Sequence, residues 1–233
     1  MIFFNRRKFK IKKIGKRGKI FVWIVDGEKI RNEVDINFTN FGQHFRFSFI
    51  PKNEFWLDKE ANPNEQHFFI DHLLVEWKLM KEGASYADAL EMASKKERSE
   101  RFKAKDFEKV DDFDGIPDIE KIHRKLLGKN KKGISIWLVD GRLVRSVFNV
   151  DFTEGGHDLV YSFVPKNEVW VDDDLSKKEI PYVILHELYE RSLMLKEIPN
   201  YNQAHEKAAK IEWQSRKNKK KLKENLLLVA WHQ

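Results

Sequence analysis

The chain has no cysteine, which excludes disulfides and every zinc site built on thiolates, so any metal must be held by histidine, aspartate and glutamate. It also lacks any apolar run approaching the roughly 18 residues that a membrane-spanning helix needs. The few apolar residues near its start are interleaved with charges, unlike a secretory leader. Both absences lead us to expect a soluble, cytoplasmic protein with no membrane partner. Excess positive charge is missing from the body of the chain as well. Of 44 basic residues nine precede Ile20, and the other 35 face 37 acidic ones. The formal charge of +7 is therefore local.

One basic stretch holds Arg6, Arg7, Lys8, Lys10, Lys12 and Lys13 with no acid among them, and a second holds Arg216, Lys217, Lys219, Lys220, Lys221 and Lys223. Such clusters can neutralise phosphates and bind nucleic acid without sequence preference. No base-reading or stacking motif accompanies them, which favours a solvated tail and a solvated helix face.

What the sequence does have is a duplication, at an offset of 114. Trp23-Ile24-Val25-Asp26-Gly27 matches Trp137-Leu138-Val139-Asp140-Gly141, and Pro51-Lys52-Asn53-Glu54 matches Pro165-Lys166-Asn167-Glu168. The register runs ungapped to Met80 against Met194, then slips by one, so that Tyr86 meets Tyr201 and Arg101 meets Arg216. A period this long means two copies of one small domain rather than a solenoid. The expected division is a basic arm at 1–19, a first repeat at 20–102, a linker at 103–131 with a helix from Asp118 to Leu127, a second repeat at 132–217 and a tail at 218–233.

Within each copy a β-branched and aromatic run, Ile20 to Val25 in the first, ends in Asp-Gly, which reads as a hairpin turn leading to a second strand through Phe38. Alternation over Phe45 to Ile50 and a short strand over Glu54 to Asp58 follow, and two helices close the unit. In the second copy Ser176 with Glu179 reads as a capping box for a helix to about Lys196, stopped by Pro199. Asn200 with Gln203 caps another helix to about Lys217. The expected fold is α+β: a tandem duplication of a small antiparallel β-meander followed by a helical hairpin. The recurring Trp23, Trp137, Trp56 and Trp170 read as core, and Leu226 to Trp231 as a segment that docks on the body or on a partner.

The copies differ where chemistry could reside. Val183, His186, Glu187, Glu190 and Met194 form a stripe at helical spacing whose counterpart is Phe69, His72, Leu73, Glu76 and Met80. On the next helix His205 stands against Leu90, and before the first helix His157 stands against Gln43. Burying an ionised glutamate where a leucine suffices costs several kcal/mol unless it is paired or metal-bound. Residues four apart on a helix project to one side, so His186 and Glu190 can share a metal, and a returning helix can add His205.

The segment HELYE resembles half of the HExxH motif of zincin metallopeptidases, with Glu190 in place of the second histidine and His205 in place of the later glutamate. The resemblance covers the second copy alone and includes a small sheet before the active helix. It implies a zinc-dependent, peptidase-like hydrolase acting on a peptide or other small substrate. His186, Glu190 and His205 would be ligands and Glu187 the general base. His157 would be a further ligand or an oxyanion stabiliser, with Glu212 and Arg216 in support.

Two alternatives stand beside it. His72 and Glu76 persist in the first copy, so the pair can be a buried hydrogen-bonded couple, with Arg101 and Arg216 neutralising Glu76 and Glu190. A metal-free catalytic site is the other. On the first of these the chain is a non-enzymatic binding or scaffold protein. The residues specify no oligomeric state.

Overall fold

The computed structural model describes residues 5–110, 117–196 and 200–231, and the chain divides into two units, Met1–Glu108 and Lys109–Gln233. Each unit is α+β and built to one plan. In the first, strands β1 (Lys10–Arg17), β2 (Ile20–Val25), β3 (Phe41–Gly42) and β4 (Glu54–Asp58) form a sheet in the order β1-β2-β4-β3. Helix α1 (Gly27–Glu33) follows β2, and α2 (Gln66–Lys81) and α3 (Tyr86–Lys103) follow β4. The second unit repeats this with β5 (His123–Lys129), β6 (Ser135–Val139), α4 (Gly141–Val147), β7 (Gly155–His157), β8 (Glu168–Asp172), α5 (Ile180–Lys196) and α6 (Tyr201–Lys217), and adds α7 (Lys219–Leu228).

The sheets are mixed, not the antiparallel meanders expected. β2 pairs with β4, and β6 with β8, in parallel, with Trp23 opposite Trp56 and Trp137 opposite Trp170. Parallel neighbours need a crossover, and Asp-Gly begins it instead of turning a hairpin. Asp26 and Asp140 are helix N-caps whose side chains accept from Lys29 N and Leu143 N. The glycine is required by proximity: a Cβ on Gly27 would lie 1.8 Å from Asp58 Oδ2, and one on Gly141 2.2 Å from the Asp172 carboxylate. The segment expected as a strand through Phe38 is thus α1 and a turn. Phe45 to Ile50 is also a run of turns, in which Phe47 N donates to Gln43 O and Ile50 N to Phe47 O.

Two boundaries move for the same reason. The arm at 1–19 is not separate, since Lys10 to Arg17 is β1, paired antiparallel to β2. The helix expected from Asp118 to Leu127 is a single 3-10 turn, Ile119–Lys121, and then β5, the counterpart of β1. The second unit accordingly begins well before residue 132. Both are edge strands, largely exposed and rich in lysine, with little apolar alternation to mark them. Pairing with the neighbouring strand overrides the local propensity. The basic residues are correspondingly engaged: Lys8 pairs with Glu33, Lys10 with Glu54 at 2.6 Å, and Lys13 lies over the Phe21 ring.

Each sheet is covered on both faces. In the second unit Ile136, Val169 and Val171 pack against Val183, Ile184 and Leu188 of α5, while Val139, Val144, Phe152 and Trp170 fill the opposite layer. Leu226, Val229 and Trp231 join the α5 side, so the tail docks on its own unit. Trp56 and Trp170 are fully buried. Among the described residues no helix is long and apolar enough to cross a membrane.

Candidate metal centre in the second unit

The α5–α6 hairpin sets the geometry. Asn200 caps α6 by accepting from Gln203 N at 3.2 Å, as expected, whereas Pro199 lies outside the described residues. Ala204 and Ala208 are fully buried where α6 faces α5, and so small an interface lets His205 reach across.

His186 Nε2, Glu190 Oε2 and His205 Nδ1 converge. The separations are 3.1 Å between the two imidazole nitrogens, 2.9 Å from His205 to the carboxylate oxygen and 3.5 Å from His186 to it. Ligands about 2.0–2.1 Å from a tetrahedral zinc stand about 3.3 Å from one another, so the three separations are close to those of ligands that share one ion. The same spacing lets them hydrogen-bond to one another without it. Glu190 is buried, while the His205 side chain is 38% exposed and opens the cluster to solvent.

Behind the three atoms runs a chain of ion pairs. His186 Nδ1 meets Glu212 Oε2 at 2.8 Å, Arg216 Nε donates to Glu212 Oε1 at 2.8 Å, and an Arg216 terminal nitrogen donates to Glu179 Oε1 at 2.8 Å. A carboxylate on the far nitrogen fixes the tautomer and points Nε2 at the site. Arg216 therefore serves Glu212 and Glu179, not Glu190 as expected, and Arg101 likewise serves Glu97 and Glu65. Glu65 and Glu179 occupy matched positions in the repeat, a signal hidden by the capping-box reading of Glu179.

His157 is fully buried, and its ring is engaged at both nitrogens. Nδ1 accepts from Leu159 N at 3.2 Å, so the proton sits on Nε2, which donates to Glu190 Oε1 at 3.0 Å. Gln43 does the same in the first unit, its Oε1 accepting from Phe45 N at 2.7 Å and its Nε2 donating to Glu76 Oε1 at 2.6 Å. The exchange of Gln43 for His157 thus preserves a pair of hydrogen bonds that turns the other carboxylate oxygen toward the cluster.

Glu187 is half-buried and, among the described residues, has no hydrogen-bond partner. One of its oxygens lies within 4.8 Å of ligand atoms of His157 and Glu190. Burial pushes its carboxyl up to about 8, against the opposing pull of His186, and Glu190 and Glu212 add to the rise. Burial would also raise Glu190, but hydrogen bonds from His157, His186 and His205 override it and hold that carboxyl well below the usual range. Burial disfavours the His186 cation, yet bonds to Glu190 and Glu212 raise the imidazole well above its ordinary value.

Three further residues shape the site. Gly155 stands where the first unit has Phe41, whose ring lies 5.1 Å from the His72 ring. A Cβ there would lie 2.7 Å from Val183 Cγ1, 3.0 Å from Trp170 O and 3.2 Å from Glu187 Cγ, so the glycine admits the close approach of α5, Glu187 included. Tyr161, in place of Phe47, and Tyr201 have hydroxyls held above the ordinary phenol value, by burial first and then by the nearby Glu187 and Glu190. Gly155 and Tyr161 were readable from the register as further exchanges between copies. His67 is exposed, His123 stacks on Trp137, and His232 lies outside the described residues.

Comparison of the chain with protein-family models, with curated proteins and with solved structures finds no match, so the cluster is read on its own chemistry.

Proposed function

We propose that the second unit is a zinc-dependent hydrolase of the peptidase-like kind, with His186, Glu190 and His205 as ligands. The observation that carries this reading is the triangle of donor atoms at zinc-ligand spacing, backed by Glu212 on the far nitrogen of His186. Zinc in such a donor set acidifies a coordinated water to near neutrality and polarises a carbonyl. Glu187, unpaired and beside the ligands, is placed to take the proton from water and return it to the leaving group. Tyr201, whose ring lies 5.5 Å from that of His205, carries a hydroxyl suited to stabilising a developing oxyanion. His157 orients Glu190 through its Nε2–H.

Metal analysis of protein purified without added metal tests this. Wild type and His157→Gln should each retain about one zinc per chain, and His186→Ala and His205→Ala almost none. Near-zero zinc in all four would overturn the reading.

One observation favours a second reading. The first unit keeps His72 on Glu97 at 2.8 Å, Arg101 on Glu97 and Arg101 on Glu65, with no third ligand at Leu90. That part of the network is architecture, and a duplicated binding or scaffold protein needs no more. Nucleic-acid contact through Lys12, Lys13 and their neighbours on β1 is then the expected activity, and its affinity should fall steeply with salt.

A further inference from the structure

The first unit carries a cleft of ≈ 1030 Å³. Ile20, Phe45, Leu74 and Trp77 supply its apolar lining. Arg17, Lys19, Lys52 and Lys81 ring it, and no acidic side chain lines it.

At the matched place in the second unit a helix and its tail lie on the surface. Ile134 and Leu188, the counterparts of Ile20 and Leu74, are buried with Leu226, Val229 and Trp231. The β5–β6 turn holds the tail's backbone, with Lys131 N donating to Ala230 O at 3.1 Å and Asn130 Nδ2 to Val229 O at 3.2 Å. The rest is closed by side chains. Arg191 stands where the first unit has Trp77 and forks onto Asp158 at 2.6 and 3.0 Å, where the first unit has His44. α7 follows α6 after the single residue Asn218, whereas the chain after α3 leads through a 3-10 turn at Asp106–Lys109 toward the second unit. The first unit has the floor for such a helix, and among the described residues no counterpart of α7 follows α3.

We propose that the cleft docks an acidic amphipathic helix of another protein, seated as α7 and its tail sit on the second unit. An apolar floor with exposed Phe45 and half-buried Trp77 suits the apolar face of a helix laid in a groove. The cationic rim selects the charge of the other face. It also argues against a second copy as occupant, since α7 carries Lys219, Lys220, Lys221 and Lys223 against the single acid Glu224, and like charge would meet like.

The probe is a fluorescein-labelled peptide of residues 219–231 in which those four lysines are replaced by glutamate, titrated with the full chain and read by anisotropy. Binding should weaken at least about tenfold in the chain carrying Lys19→Glu with Lys52→Glu, two exposed positions, and in Trp77→Ala, with zinc content unchanged. The unmodified basic peptide should bind at least about tenfold more weakly than the acidic one. Equal binding of the two peptides, or acidic-peptide binding indifferent to the lysine reversals, would overturn the proposal. So would displacement of no peptide by excess unlabelled acidic peptide but its displacement by a short single-stranded oligonucleotide, which would assign the cleft to nucleic acid.

Discussion

Glu187 is the residue that works against the stability of its unit. Its carboxyl is half-buried without a hydrogen-bond partner among the described residues, and the carboxylates of Glu190 and Glu212 oppose its ionisation. Leu73, at the same place in the first unit, is simply part of the core. A carboxyl held at such a position costs folding free energy. Glu187→Leu should therefore raise the stability of metal-free protein by about 1–2 kcal/mol in denaturant unfolding, and under the proposed hydrolase function it should also remove activity. A variant less stable than wild type would show that the carboxyl has a structural partner.

In residue type Glu187, His205 and His157 all differ from their counterparts Leu73, Leu90 and Gln43. His157 and Gln43 nevertheless present the same acceptor to Leu159 N or Phe45 N and the same donor to the glutamate. Side-chain geometry decides that, and residue type does not report it.

The helical hairpins were legible because their caps and apolar stripes are local, and α6 runs from Tyr201 to Lys217 as its Asn200 cap requires. The sheets were not. Asp-Gly suits a tight turn, yet here it is an N-cap beside a residue that must admit Asp58 or Asp172, a contact between positions about thirty residues apart. β1 and β5 gain their strand conformation from β2 and β6, not from their own lysine-rich sequences.

The α2–α3 hairpin of the first unit also makes a prediction for pH. Burial alone would lower His72, but the Glu76 carboxylate 3.7 Å away and a hydrogen bond to Glu97 raise it to about 9. A folded-state value above the ordinary 6.5 means that the protonated form stabilises the fold. That contribution, about 3 kcal/mol, is fully present below about pH 6.5 and is lost as pH rises through about 9. Histidine NMR should show the His72 ring titrating near 9, and Glu97→Gln should bring the midpoint down. A midpoint near 6.5 in wild type would contradict the buried ion pair.

Across the whole chain, duplication means that the first unit already contains most of the second unit's site. His72, Glu76, Glu97, Arg101 and Glu65 stand where His186, Glu190, Glu212, Arg216 and Glu179 stand, and Gln43 holds Glu76 as His157 holds Glu190. What separates a structural network from a candidate metal centre is then a short set of exchanges: a third ligand at Leu90, a base at Leu73 and the space that Phe41 fills against Phe69 and His72. Leu90 lies on the α3 face toward α2 and is partly exposed, as His205 is on α6, so a histidine there should reach His72 Nε2 and Glu76 Oε2, now 3.7 Å apart. The chain carrying Phe41→Gly, Leu73→Glu and Leu90→His should accordingly gain zinc in its first unit. Measured in a His186→Ala background, where the second unit's ligand is gone, zinc should rise from near zero to about one per chain. The buried glutamate and the lost Phe41 ring will cost several kcal/mol in metal-free protein, so Leu90→His alone, the mildest of the three changes, should be compared with the triple variant by circular dichroism. Folded chains of both kinds that take up no zinc would mean that the triangle of His186, Glu190 and His205 is not by itself a zinc-binding geometry.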